Sequence, residues 1–223
     1  MTTLLGNGIY SYSDAARLTG VPFARVRSWF QSQNEKHNSV FSSDYSELDS
    51  PTKLISFLDL TDLYVVGRLR EQGFSLQKLR KVFTILKDDL NTPHPYSHHQ
   101  LLSDGKTLFL RRKDKADEIV LTDILEKQHA INKVLDPYLN QIDWNPNTQL
   151  AEKWRIMDGV VVDPKRRFGK PILESTAMPT SVLYEAYLAN NHDFEAVAAW
   201  YGINETDVEV AVRFEEKYSG KAA

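Results

Sequence analysis

The chain has 223 residues, 42% hydrophobic and 26% charged, an ordinary globular balance long enough to hold more than one core. It contains no cysteine, which excludes disulfides, thiolate nucleophiles and sulfur-ligated metals and fits a reducing cytosol. The opening residues carry no basic region followed by an apolar run, and no stretch nears the ~18 apolar residues of a membrane span, so a cytoplasmic protein without membrane contact is expected.

Net charge is only −3, but it is unevenly placed. Residues 68–87 hold six basic residues against one acid, and residues 172–220 hold nine acids against Arg213 and Lys217. A basic front and an acidic rear imply surfaces with different partners.

The first readable unit is residues 11–30, SYSDAARLTGVPFARVRSWF. Ser13 is a candidate N-cap of a short helix carrying Ala15, Ala16 and Leu18. Gly20 permits the chain reversal, and Pro22 suits the start of a second helix. Val26, Trp29 and Phe30 share one face of that helix. Two short helices around a glycine are a helix-turn-helix pattern. If its apolar face is buried, Arg25, Arg27, Ser28 and Gln31 are left to contact DNA, where arginine reads guanine edges bidentately and Ser and Gln meet phosphates or bases.

Residues 31–56 are polar, with apolar points at Val40, Phe41 and Tyr45, and read as a loop or small β-ribbon. Lys36 there is a candidate backbone contact. A longer helical pair follows, from Leu60 to Leu69 and from Leu76 to Leu86, interrupted by Gly73. Ser75 is a candidate N-cap of its second helix. With Lys78, Arg80 and Lys81 in the first turns, it forms a possible phosphate clamp of amides and cations.

After Pro93 and Pro95, Asp104-Gly105 is the strongest short hairpin signal, with a short strand at 119–121 and a helix over 123–140 to follow. His94, His98 and His99 are the only histidine cluster and make a weak zinc case, because a zinc site needs three or four ligands in fixed geometry. Residues 154–162 read as extended. From Pro179 three helices follow, the last with a Thr206-x-x-Glu209 capping box.

The rear helices repeat the helix-turn-helix pattern but are acidic, so phosphate is repelled there and a protein surface is expected, with Glu205, Asp207 and Glu209 as contacts. Arg166, Arg167 and Phe168 form the opposite case, a basic loop suited to a partner's acidic site. No nucleophile elbow, phosphate-binding glycine loop or metalloprotease helix is present, and no enzyme or cofactor is expected.

The segments SYSDAARLTGVPFARVRSWF and SFLDLTDLYVVGRLREQGFSLQKLRKVF resemble the MerR-like winged-helix family, including the Leu69-Arg70-Glu71-Gln72-Gly73-Phe74-Ser75-Leu76 link between helices. From Val160 to Tyr218 the chain is similar to domain-of-unknown-function family 433, through Asp163-Pro164, Phe168-Gly169-Lys170-Pro171, Pro179-Thr180-Ser181 and Tyr201-Gly202. The usual Gly-Thr-Arg of that family is here replaced by Ser175-Thr176-Ala177-Met178. The two modules in this order resemble VapB-type antitoxins over roughly residues 9–218. That resemblance implies neutralisation of a PIN-type ribonuclease toxin and repression of the protein's own operon through operator DNA.

The expected architecture is mostly α (α+β). It comprises a winged helix-turn-helix over 1–92, a β-hairpin and helix connector over 93–150, and a C-terminal helix-turn-helix-like module over 151–223. Half-site reading by such proteins implies a homodimer. Two alternatives stay open: a ligand-responsive MerR-like regulator without a toxin, and a metal-dependent nuclease using His94, His98 and nearby acids.

Overall fold

The computed structural model describes residues 4–31, 39–99 and 140–219. The expected hairpin at Asp104-Gly105, the strand at 119–121, the helix over 123–140 and Lys36 lie outside the described residues.

At the front, β1 (Tyr10–Ser11) pairs antiparallel with β2 (Leu54–Ile55), and each strand leads directly into a helix. Helix α1 spans Tyr12–Thr19 and α3 spans Phe57–Glu71. Both begin with the same device. The Ser11 hydroxyl accepts from Asp14 N–H while the Asp14 carboxylate accepts from Ser11 N–H, and Ser56 and Asp59 repeat the arrangement. Each box satisfies two otherwise orphaned backbone donors. The cap of α1 is therefore Ser11, not the expected Ser13, which falls inside the first turn.

Gly20 closes α1 in the left-handed region (φ 75°), and α2 (Phe23–Phe30) starts after Pro22. The turn between them packs closely on α3, because a Cβ on Gly67 would lie 2.6 Å from Val21 Cγ2. Val26, Trp29 and Phe30 are buried as the 3.6-residue period requires. Phe41 wedges against them, its ring 6.5 Å from Trp29, 5.1 Å from Phe30 and 5.9 Å from Phe83 of α4 (Leu76–Asp89). Rings of this size each contribute ~1.5–3 kcal/mol on burial, so Phe41 is the joint between the two helix pairs.

Behind this lies a four-stranded antiparallel meander in the order β3-β4-β5-β6. Its strands are β3 (Ile142–Trp144), β4 (Ala151–Met157), β5 (Val160–Val162) and β6 (Pro171–Leu173). The expected extended run over 154–162 is thus a hairpin, turned at Asp158-Gly159. Helices α5 (Thr180–Ala189), α6 (Phe194–Tyr201) and α7 (Glu205–Ser219) complete the chain, with Gly202 as the left-handed cap of α6. Helix α7 starts one residue before Thr206, which places that residue in the first turn and corrects the expected capping box.

Val208, Ala211, Val212 and Phe214 seat α7 on the other two rear helices and on β5 and β6. Tyr64 of α3 meets Trp154 of β4 at 5.0 Å, so front and rear share one apolar core. The fold is α+β: seven α-helices and two small sheets among the described residues. No described helix is long and apolar enough to cross a membrane.

Candidate nucleic-acid and partner interfaces

Helix α2 divides as its sequence requires. With Val26, Trp29 and Phe30 turned inward, Arg25 and Arg27 are exposed, and Ser28 and Gln31 are half-buried. The Trp29 carbonyl accepts from Val40 and Phe41 N–H at 2.8 and 3.0 Å, so the end of α2 is fixed to the returning chain. Arg27 Nε donates to Gln31 Oε1 at 3.1 Å, and Ser28 Oγ donates to the Arg25 carbonyl at 3.0 Å. Among the described residues no carboxylate pairs with Arg25 or Arg27.

The basic stretch over 68–87 is less uniform than its sequence. Arg68 donates to the Thr19 carbonyl at 2.9 Å and to Glu71 at 2.7 Å, and lies 4.9 Å over the Tyr64 ring. Arg70 donates to the Phe74 carbonyl. These two arginines close loops of the fold. The cations of α4 differ: Ser75 caps the helix by accepting from Lys78 N–H at 3.2 Å, Lys81 is exposed, and Lys78 and Arg80 are half-buried. Arg80 Nε is buried without a hydrogen-bond partner among the described residues. A capped helix start with cations in its first turns favours anions.

In the rear module, Arg166, Arg167 and Phe168 are exposed on a tight loop where Arg167, Phe168 and Gly169 all have positive φ. That loop also holds the front unit: the Phe168 carbonyl accepts from Ile9 N–H, and the Gly169 carbonyl accepts from the Tyr10 hydroxyl, both at 2.9 Å. Glu205 and Glu209 are exposed, whereas Asp207 is half-buried and accepts from Ser175 Oγ at 2.8 Å. Glu215 is not a surface charge. It is buried, pairs with Arg17 of α1 at 3.0 Å and accepts from Thr180.

The three histidines do not converge as a ligand set. His94 is buried with Nδ1 2.9 Å from Asp62 and Nε2 3.1 Å from Asp44. Asp59 stands 4.0 Å away, and Ser97 donates to Asp62 at 2.8 Å. Burial alone would depress the His94 pKa, but hydrogen bonds to Asp44 and Asp62 and their charges raise it to about 10. His94 is therefore an imidazolium donating from both nitrogens.

Burial opposes ionisation of Asp44, yet the His94 hydrogen bond and charge outweigh it and hold this carboxyl below its usual range. Burial pushes Asp59 up to about 6 and also raises Asp62. Asp44, Asp59 and His94 lie close enough together to offer ligand atoms to a cation. A metal here would have to displace the proton and the hydrogen bonds that already neutralise the cluster. Asp62, His94 and Ser97 are each under 5% exposed, so no substrate reaches them.

The sequence did not signal the roles of Asp44, Asp62, Arg17 and Glu215. The available clue was Asp62, an acid set within the apolar run of α3.

Front and rear thus define an α+β protein in which two short helices, α1 and α2, and a helical module of α5, α6 and α7 are joined through one core. Residues 160–214 match the family described as "Protein of unknown function (DUF433)". The chain is similar to a protein of Mycobacterium tuberculosis (strain ATCC 25618 / H37Rv) named "Putative antitoxin VapB45", at 22% identity over 214 residues. That match takes in 87% of this chain and 88% of the relative. An X-ray crystal structure of Rv2018 from Mycobacterium tuberculosis shares the fold, with a TM-score of 0.68 at 22% identity, over 91% of this chain and 96% of that one.

Proposed function

We propose that this chain is the antitoxin of a bacterial type II toxin–antitoxin system, a cytoplasmic, non-enzymatic regulator. It binds a PIN-type ribonuclease toxin and represses its own operon as a homodimer with a MerR-like winged helix-turn-helix. The observation that carries this reading is the similarity to the mycobacterial antitoxin across both modules. The split of charge supports it: α2 offers Arg25 and Arg27 from a buried anchor, whereas residues 171–212 contain no lysine or arginine.

In this account Arg25, Arg27, Ser28 and Gln31 read base edges, and Ser75, Lys78, Arg80 and Lys81 hold phosphates, with Lys36 on the neighbouring backbone. Counterion release by these cations supplies most of the affinity and makes it salt-dependent. The partner is met by the rear module, through Arg166, Arg167 and Phe168 on one side and Glu205, Asp207 and Glu209 on the other.

A ligand-responsive regulator is the less favoured reading. The cavity between the modules, lined by Tyr10, Arg17, Lys170 and Glu215, holds about 200 Å³, and a second near Asp44 and Lys165 about 160 Å³. These two cavities among the described residues fall below the ~300–1,000 Å³ usual for small-molecule sites.

The antitoxin reading expects a PIN-type ribonuclease to be encoded beside this gene, and co-expression of the two tests it. Restored growth and a co-purifying complex are expected. Growth arrest that this chain does not relieve contradicts it.

A further inference from the structure

We infer that the outward side of α5 and α6 is a docking surface for a protein that presents an apolar centre rimmed by lysine and arginine. The inference rests on the antitoxin reading and adds an apolar anchor face to the partner contacts proposed there.

Both helices are apolar nearly all round, yet each buries only one side. Leu183 of α5 and Val197 and Ala198 of α6 are covered, and both helices pack on α7. The other side is left to water: Trp200 is 75% exposed and Leu188 47%, with Val182 and Tyr201 also exposed. An amphipathic surface helix turns mainly polar residues outward, whereas these two set large apolar side chains beside their exposed acids. Exposed tryptophan and tyrosine are the residue types that anchor protein interfaces.

Charge decides between occupants. Glu185 lies between Val182 and Leu188, and Glu195 opens α6, both exposed and with no cation paired to them among the described residues. From 171 to 212 the chain has seven acids and no lysine or arginine. DNA is repelled by such a face. A second copy docked by two-fold symmetry brings the same patch onto itself, acid against acid. A partner with a basic rim, as a protein that grips RNA carries, satisfies both the apolar centre and the acids, and gains association rate from them.

The test uses the full chain and the PIN-type ribonuclease that the antitoxin reading expects beside its gene, with inhibition of single-stranded RNA cleavage as the readout. Trp200→Glu with Leu188→Glu alters exposed positions only, and unchanged circular dichroism and promoter binding verify that this variant folds. Its inhibition constant is expected to rise about 30-fold or more. Glu185→Lys with Glu195→Lys is expected to slow association most at low salt. Wild-type inhibition that the Trp200/Leu188 variant retains overturns this surface and leaves the antitoxin reading intact. A ribonuclease that the wild type fails to inhibit overturns both. A wild-type dimer that the same variant turns into a monomer assigns the face to a second copy and also overturns the inference.

Discussion

Arg17 Nη1 donates to Glu215 Oε2 at 3.0 Å, joining the first helix to the last across 198 residues of sequence. The Glu215 carboxylate is nearly closed to solvent and accepts also from the Thr180 hydroxyl. One buried acid thus ties α1, α5 and α7, and the front helices are braced on the rear module.

Removing the arginine leaves Glu215 buried with a single hydroxyl donor. Arg17→Ala is expected to lower the unfolding free energy by about 1–3 kcal/mol. A double-mutant cycle with Glu215→Gln, followed by chemical denaturation, is expected to give a coupling of ~0.5–2 kcal/mol. A coupling near zero contradicts the brace.

The second joint is steric. Gly169 has φ 80°, and a Cβ there would stand 2.1 Å from the Tyr10 hydroxyl oxygen. Gly169→Ala therefore combines a left-handed alanine with overpacking, at a cost of about 2–4 kcal/mol. Tyr10→Phe alone removes one hydrogen bond and costs about 1 kcal/mol. In the Gly169→Ala background the same change relieves part of the clash, so thermal denaturation should show the double variant losing less than the two single losses summed.

The His94 cluster makes stability depend on pH. Its folded pKa of about 10 lies above the unfolded 6.5, so its contribution is complete below about 6.5 and is lost as pH rises toward 10. Asp44 has the opposite sign: its contribution is present above the ordinary carboxylate pKa and fades as pH falls through its depressed value. Asp59, raised to about 6, favours the fold when protonated and subtracts as pH climbs from 3.8 to 6. Melting temperature is expected to fall between pH 6.5 and 10 in the wild type and to be flatter over that range in His94→Gln. That variant, with Asp62 left buried without its cation, is expected to lose about 3–5 kcal/mol at pH 6.5.

Much of the front was legible in the sequence because its signals are local. Gly20 ends a helix, Ser75 caps one, and Val26, Trp29 and Phe30 keep the helical period. Ser11 and Ser13 have the same chemistry, and only the Asp14 carboxylate reaching back to Ser11 N–H makes Ser11 the cap. The rear hairpin reads as one extended run by pattern, although Asp158-Gly159 is the same turn dipeptide as Asp104-Gly105.

What sequence could not show were meetings between distant residues. Arg68 and Arg70 count as free cations until Thr19 and Phe74 are found beside them. His94 reads as one of a histidine cluster until Asp44 and Asp62 enclose it. Glu215 belongs to an acidic run by its neighbours and to the core by its partners.

DNA reading by the basic front is tested most directly by a mobility shift on a fragment of the protein's own operon promoter. The wild type is expected to bind, with affinity falling as salt rises. Arg25→Ala with Arg27→Ala is expected to lose at least ~10-fold at moderate salt and to show a shallower salt slope. Equal binding by this double variant at moderate salt would contradict the assignment of α2 as the recognition helix.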